Sequence, residues 1–198
     1  MGLANNRTQF AIQSRVLHWL MAAMLLTMLF IGVSMVASLG HYARLVAIHR
    51  PLGIAILILA VVRLANRLLT TLPPFPPTMS PLERRVAAGS EKLLYTLMIL
   101  MPLVGWGMLS AGHLPIVMVG RLHLPPILPA RPMLYAFLRR THTALAYLLF
   151  LTFAAHLSAV LFHTWIVRDH LLDRMALWPI RRRTPEGPLH AVTSGGEP

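Results

Sequence analysis

The last long apolar stretch most constrains what this chain can fold into. Residues 141–167 read THTALAYLLFLTFAAHLSAVLFHTWIV between Arg140 and Arg168, with no Lys, Arg, Asp or Glu. A helix of about 20 apolar residues crosses a bilayer, and this run is long enough. It nevertheless carries His142, His156 and His163; ionisable groups are costly at that depth and mark function there. The step from His142 to His156 is 14 residues, a helical rise of about 21 Å that ends about 40° short of a whole number of turns. The two imidazoles therefore share one face at opposite sides of the membrane. A helix with that pattern can supply one ligand to each of two stacked metal centres.

Composition agrees with a membrane solvent. Of 198 residues, 56% are apolar and 12% charged, and the mean hydropathy is +0.63, which argues against an ordinary water-soluble domain. Cysteine is absent. That excludes disulfides, Cys-ligated zinc, iron–sulfur clusters and covalent haem attachment, and it leaves the 10 His residues as the metal-binding stock. The formal charge is +12, from 18 Lys+Arg against 6 acids. These arginines flank apolar spans, so membrane lipid phosphate rather than nucleic acid is their expected partner.

Three further spans precede the last one. Residues 16–39 are uncharged after a polar head containing Arg7 and Arg15. This run exceeds the roughly 7–15 apolar residues of a signal peptide, so an uncleaved span is expected. Residues 45–68 form the second span, with Arg50 and Arg63 near its ends and Pro51 near its start, where a helix tolerates proline best. A Pro-rich connection at 70–81 and the segment LERRVAAGSEKLLY lead to a third span at 93–111, with Pro102, Gly105 and Gly107. Glycine there lets a helix or a flat macrocycle approach the backbone. Residues 112–131 are apolar but broken by proline and predict an interfacial loop with one short helix. The expected organisation is a cytoplasmic head at 1–15, a four-span domain at 16–175 and a basic, disordered cytoplasmic tail at 176–198. The fold class is all-α, an integral membrane four-helix bundle.

Orientation follows from the basic residues. With the N-terminus inside, Arg7, Arg15, Arg63, Arg67, Arg84, Arg85, Lys92, Arg168, Arg174, Arg181, Arg182 and Arg183 fall on the cytoplasmic side. Arg44, Arg50, Arg121, Arg131, Arg139 and Arg140 fall on the other. That bias favours both termini in the cytoplasm. All the acids, Glu83, Glu91, Asp169, Asp173, Glu186 and Glu197, also fall inside. The outer face is purely cationic, able to steer a small anion or simply to pin lipid phosphates.

A b-type haem in such a bundle needs two imidazoles at one depth from facing helices. His49 and His142 lie near the outer ends of their spans. At the inner level His18 has two possible partners, because His156 and His163 are seven residues apart and nearly on one face. Depth alone leaves them tied; the one that is not a ligand would sit where a quinone can be protonated. Arg63, 14 residues beyond His49, falls near the inner centre, where a guanidinium can pair with a haem propionate or snorkel to the interface. His41, His113, His123, His170 and His190 fall in loops or the tail and are expected to be solvated. The 12 Met residues read as packing.

Four pieces carry a family resemblance: SRVLHWLMA at 14–22, IHRPLGIAILILAVVRLANRL at 48–68, LLYTLMILMPLVGWGM at 93–108, and RTHTALAYLLFLTFAAHLSAVLFHTWIVRDHLLDRM at 140–175. In these the chain resembles the bacterial cytochrome b561 family, four-helix dihaem membrane proteins related to the cytochrome b subunits of nickel–iron hydrogenases. The resemblance implies two haem b groups in an inner-membrane protein. His18 and His156 would hold the cytoplasmic haem and His49 and His142 the periplasmic one. His163 would lie at a site for ubiquinone. The family often reads GH where this chain has Ser90 and Glu91, which changes the surroundings of that site.

The implied activity is single-electron transfer from a periplasmic donor, a small anion such as superoxide or a protein, to ubiquinone. Alternatives are a cytochrome b anchor relaying electrons for a partner dehydrogenase or hydrogenase, and a haem-free four-span transporter or assembly factor. A homodimer is a further possible assembly. No acid–base dyad, activated nucleophile or phosphate loop stands out in the sequence.

Overall fold

The computed structural model describes residues 9–76, 78–116, 123–169 and 171–177. Four long helices dominate: α1 (Ile12–Ala37), α2 (Tyr42–Leu69), α3 (Pro81–Ala111) and α4 (Pro132–Phe162). All four are long and apolar enough to cross a membrane, and the described residues contain no β-strand. A three-residue 3₁₀ turn, Leu39–His41, joins α1 to α2 and makes them antiparallel neighbours. α1 packs on α2, α2 on α3 and α3 on α4. The chain is thus an all-α membrane bundle with two ends. The terminal end holds the start of α1 and the end of α4; the far end lies opposite.

The helices start where local chemistry allows. At α3 a capping box does so: the Glu83 amide donates to Ser80 Oγ at 3.3 Å, and Ser80 N–H donates to Glu83 Oε2 at 2.7 Å. Pro81 and Pro132 occupy first-turn positions, where their missing N–H costs nothing. The polar segment expected to lead into the third span is therefore part of α3. Its 31 residues span about 46 Å, against a hydrocarbon core of about 30 Å, so its first turns project beyond the apolar layer. α1 likewise begins at Ile12, inside the expected 1–15 head. Residues 1–8, like 178–198 of the expected tail, lie outside the described residues; Ala176, the first tail residue, is fully buried.

Lipid as solvent explains which side chains are covered. The core is small, built from Met21, Leu25, Ile56, Ala60, Tyr95, Leu97, Met98 and Leu149. Phe30, Val36, Leu68, Leu69, Leu151 and Trp165 are exposed, which would be a liability in water and is ordinary against acyl chains. Hydroxyls in the spans are satisfied by their own helix: Thr27, Thr152 and Thr164 donate to the carbonyls four residues back at 2.7–2.9 Å.

Loops close both ends. At the far end Trp106 Nε1 donates to the Pro125 carbonyl at 2.9 Å, Ile127 N–H to Ser110 Oγ at 3.1 Å, and Arg50 to the Pro115 carbonyl at 3.1 Å. No helix forms among the described residues of 112–131; residues 117–122 of the expected short helix lie outside them. At the terminal end the segment after α4 crosses to α1. Gln9 donates to the Asp173 carbonyl at 3.0 Å, Arg15 to that of Ala176 at 2.7 Å, and Trp19 Nε1 to that of Met175 at 2.8 Å.

Candidate functional site

At the far end α2 and α4 bring His49 and His142 together, their ring centroids 6.2 Å apart and their planes at 71°. The Nδ1 atoms of both rings are buried and without a hydrogen-bond partner. The backbone of Met101 on α3 lies beside the His142 ring. An orphaned buried polar atom costs about 1–3 kcal/mol, so this pair is unsatisfied by the protein alone.

Gly105 makes room for the arrangement. A Cβ at that position would stand 3.2 Å from His142 Cε1, so the imidazole rests against bare backbone of α3. Among the described residues no group of three or more His, Cys, Asp or Glu is placed to cage a metal ion. Two facing imidazoles suit instead a metal whose remaining ligands come from a macrocycle. The residues present thus fit a b-type haem and fit a bare ion poorly.

The terminal-end level is built differently. Arg63 of α2 donates to Nδ1 of His18 on α1 at 2.7 Å, and its guanidinium stands 5.3 Å from the centre of the Tyr95 ring on α3. His156 of α4 lies within electrostatic reach of both His18 and Arg63. The helical spacing thus placed Arg63 at the level of His18 and His156, but its partner here is the imidazole. A guanidinium at that depth needs an acceptor, and His18 Nδ1 provides one. That bond puts the proton of neutral His18 on Nε2. Binding a metal through Nε2 therefore requires Arg63 to leave Nδ1.

His163 is separated from this group. It begins a π-helical turn, His163–Val167, that follows α4, is 8% exposed, and pairs through Nδ1 with Asp169 Oδ2 at 2.7 Å. Of the other histidines, His41, His113 and His123 are exposed, His41 Nδ1 meeting Ser38 Oγ at 3.0 Å. His170 and His190 lie outside the described residues.

Sequence reasoning missed Tyr95, Asp169 and the role of Glu91. Glu91 is bonded to Arg67 at 2.6 Å and lies within reach of Arg63 and His156. A signal existed for part of this: Arg63/Arg67 on α2 and Glu91/Tyr95 on α3 are both four-residue steps, each lining one face of its helix. Charge is segregated as the spans imply. Arg44, Arg50, Arg131, Arg139 and Arg140 stand at the far end, while every described acid is at the terminal end. Along α4 a cleft of ≈ 620 Å³ is lined by Tyr135, Arg139, Arg140, Thr143 and Tyr147.

Known proteins resemble the chain over nearly its whole length. Residues 9–177 match the family described as prokaryotic cytochrome b561. Cytochrome b561 homolog 2 of Escherichia coli K12 is 27% identical over 179 residues, covering 88% of this chain and 95% of that protein. Cytochrome b562 of Cereibacter sphaeroides is 27% identical, covering 80% and 89%, and a probable superoxide oxidase of Yersinia pestis is 29% identical, covering 80% and 90%. Helices, facing imidazoles and sequence kinship converge on one conclusion: the chain belongs to the prokaryotic cytochrome b561 family and is a multi-pass, haem-b-binding membrane cytochrome that transfers electrons.

Proposed function

We propose that the protein carries single electrons across the membrane through two b-type haems, from a donor at the far end to ubiquinone at the terminal end. The observation that carries the reading is the His49–His142 pair, two imidazoles brought together from different helices with ring centroids 6.2 Å apart and buried Nδ1 atoms. His49 and His142 would hold one haem; His18 and His156 would hold the other, with Arg63 beside it. Reversible one-electron redox chemistry is what a haem so ligated supplies. The chain's own part is to fix the imidazoles, exclude water with apolar helices, and hold charge at the two ends. His156 is preferred to His163 as ligand because His156 lies within electrostatic reach of His18, the partner that the family resemblance gives it. His163 is then the side chain for quinone.

Orientation by the basic residues puts the terminal end in the cytoplasm and the far end in the periplasm of a bacterial inner membrane. The far end's unbalanced arginines suit an anionic donor, and kinship to a probable superoxide oxidase makes superoxide the first to test. The experiment is haem quantification and a reduced-minus-oxidised spectrum on the purified protein and on single His→Ala variants. Two haems per chain are expected, one being lost with each of His18, His49, His142 and His156 and none with His163. Retention of both haems by the His49→Ala or His142→Ala variant refutes the reading. Stopped-flow reduction by superoxide, followed by quinone addition, tests the direction.

A further inference from the structure

Nothing in the pattern of spans asks for an acid at His163, yet the fold delivers one. After the π-helical turn, Arg168 takes left-handed backbone, φ 56 and ψ 37, a conformation uncommon outside glycine. It turns the chain back on itself. The Asp169 amide meets the His163 carbonyl at 3.4 Å, Asp169 Oδ1 accepts from the Leu171 amide at 3.2 Å, and Oδ2 lies 2.7 Å from His163 Nδ1. The two side chains are 10% and 3% exposed. Glu83, in the first turn of α3, lies within electrostatic reach of both members, and Arg174 within reach of Asp169. A buried carboxylate held by an imidazole is a poor source of stability, since desolvation cancels much of the attraction. Such a pair at the end of a span calls for another role.

The chemistry of a carboxylate on Nδ1 is specific. It holds the ring in its Nδ1–H tautomer and orientation, leaves Nε2 for a ligand, and stabilises the ring when Nε2 also takes a proton. We propose that Asp169 is a positioning residue that makes His163 the proton donor to the quinone reduced at the terminal end. This rests on the quinone reading above. Reduction to the quinol consumes two electrons, which come one at a time from the reduced haem, and two protons. For each proton the Nε2–H bond of His163 breaks and an O–H bond forms on a quinone oxygen. The ring returns to its neutral Nδ1–H form against Asp169, and water at the terminal end restores the proton. Asp169 stays a carboxylate throughout.

The test is stopped-flow re-oxidation of the pre-reduced full-length protein, by a short-tailed ubiquinone and separately by ferricyanide, which takes an electron without a proton. Asp169→Asn is expected to keep its haem spectrum, react normally with ferricyanide and slow about 100-fold with quinone. Asp169→Glu recovers most of the rate. Because the pair acts as a unit, combining Asp169→Asn with His163→Gln is no slower than His163→Gln alone. A wild-type quinone rate in Asp169→Asn, or losses that multiply in the double variant, overturns the proposal while leaving the quinone reading intact. Failure of the wild type to react with quinone overturns both. Should Asp169→Asn not hold haem, heavy water decides on the wild type: the quinone step slows there and the ferricyanide step does not, and equal sensitivity of the two refutes the relay.

Discussion

Gly105 separates the far-end site from the fold that carries it. A Cβ on this residue would come 3.2 Å from His142 Cε1 and 3.5 Å from Nδ1, whereas relaxed contacts between carbon atoms are about 3.5–4.0 Å. Alanine there obliges the ring to give by about 0.3–0.8 Å, and metal–imidazole distances tolerate only about 0.2 Å. For the helix the sign is opposite, because glycine to alanine in a helix interior gains about 1 kcal/mol. Gly105→Ala is therefore expected to melt no lower than the wild type by circular dichroism while holding the far-end haem about tenfold more weakly, at the low end of what disturbing a ligand's support costs. Gly105→Leu, which fills the space outright, loses that haem. Haem per chain and the reduced-minus-oxidised spectrum measure both effects. Gly105→Leu with a full haem complement and an unaltered α-band would refute the argument that this glycine exists to seat His142.

Two further substitutions probe the supports of the bundle. Ser80→Ala removes the acceptor of the capping box at α3 and is expected to cost about 1 kcal/mol, seen as a lower melting temperature with unchanged haem content; an unchanged melt would mean that Pro81 alone starts the helix. Glu91→Gln breaks the bridge to Arg67, whose side chains are 29% and 35% exposed. Solvent screening at such exposure limits the loss to under about 1 kcal/mol. A larger fall in chemical denaturation would show that this carboxylate chiefly offsets Arg63 rather than Arg67.

The sites were legible unequally. His49 and His142 could be paired from depth, and Arg63 could be levelled with His18 and His156, because helical rise converts sequence separation directly into depth when every element crosses the same slab. Depth could not separate His156 from His163, since seven residues leave them nearly on one face. Nor does it report contacts: the hydrogen bond from Arg63 to His18 depends on how α1 and α2 are rotated about their own axes. The pairing of Asp169 with His163 was equally hidden, as it needs the left-handed turn at Arg168, which no apolar pattern announces.

By itself the sequence determined the four apolar helices and the order of the imidazoles along them, because apolar runs and the 1.5 Å helical rise are local properties. Tertiary structure alone decided which side chains meet. It set His142 against Gly105, turned Arg63 onto His18, strapped residues 173–176 across the start of α1, and gave His163 its carboxylate. Each of these contacts joins different helices or a helix and its irregular end, where helix rotation and loop backbone, rather than periodicity, set the distances.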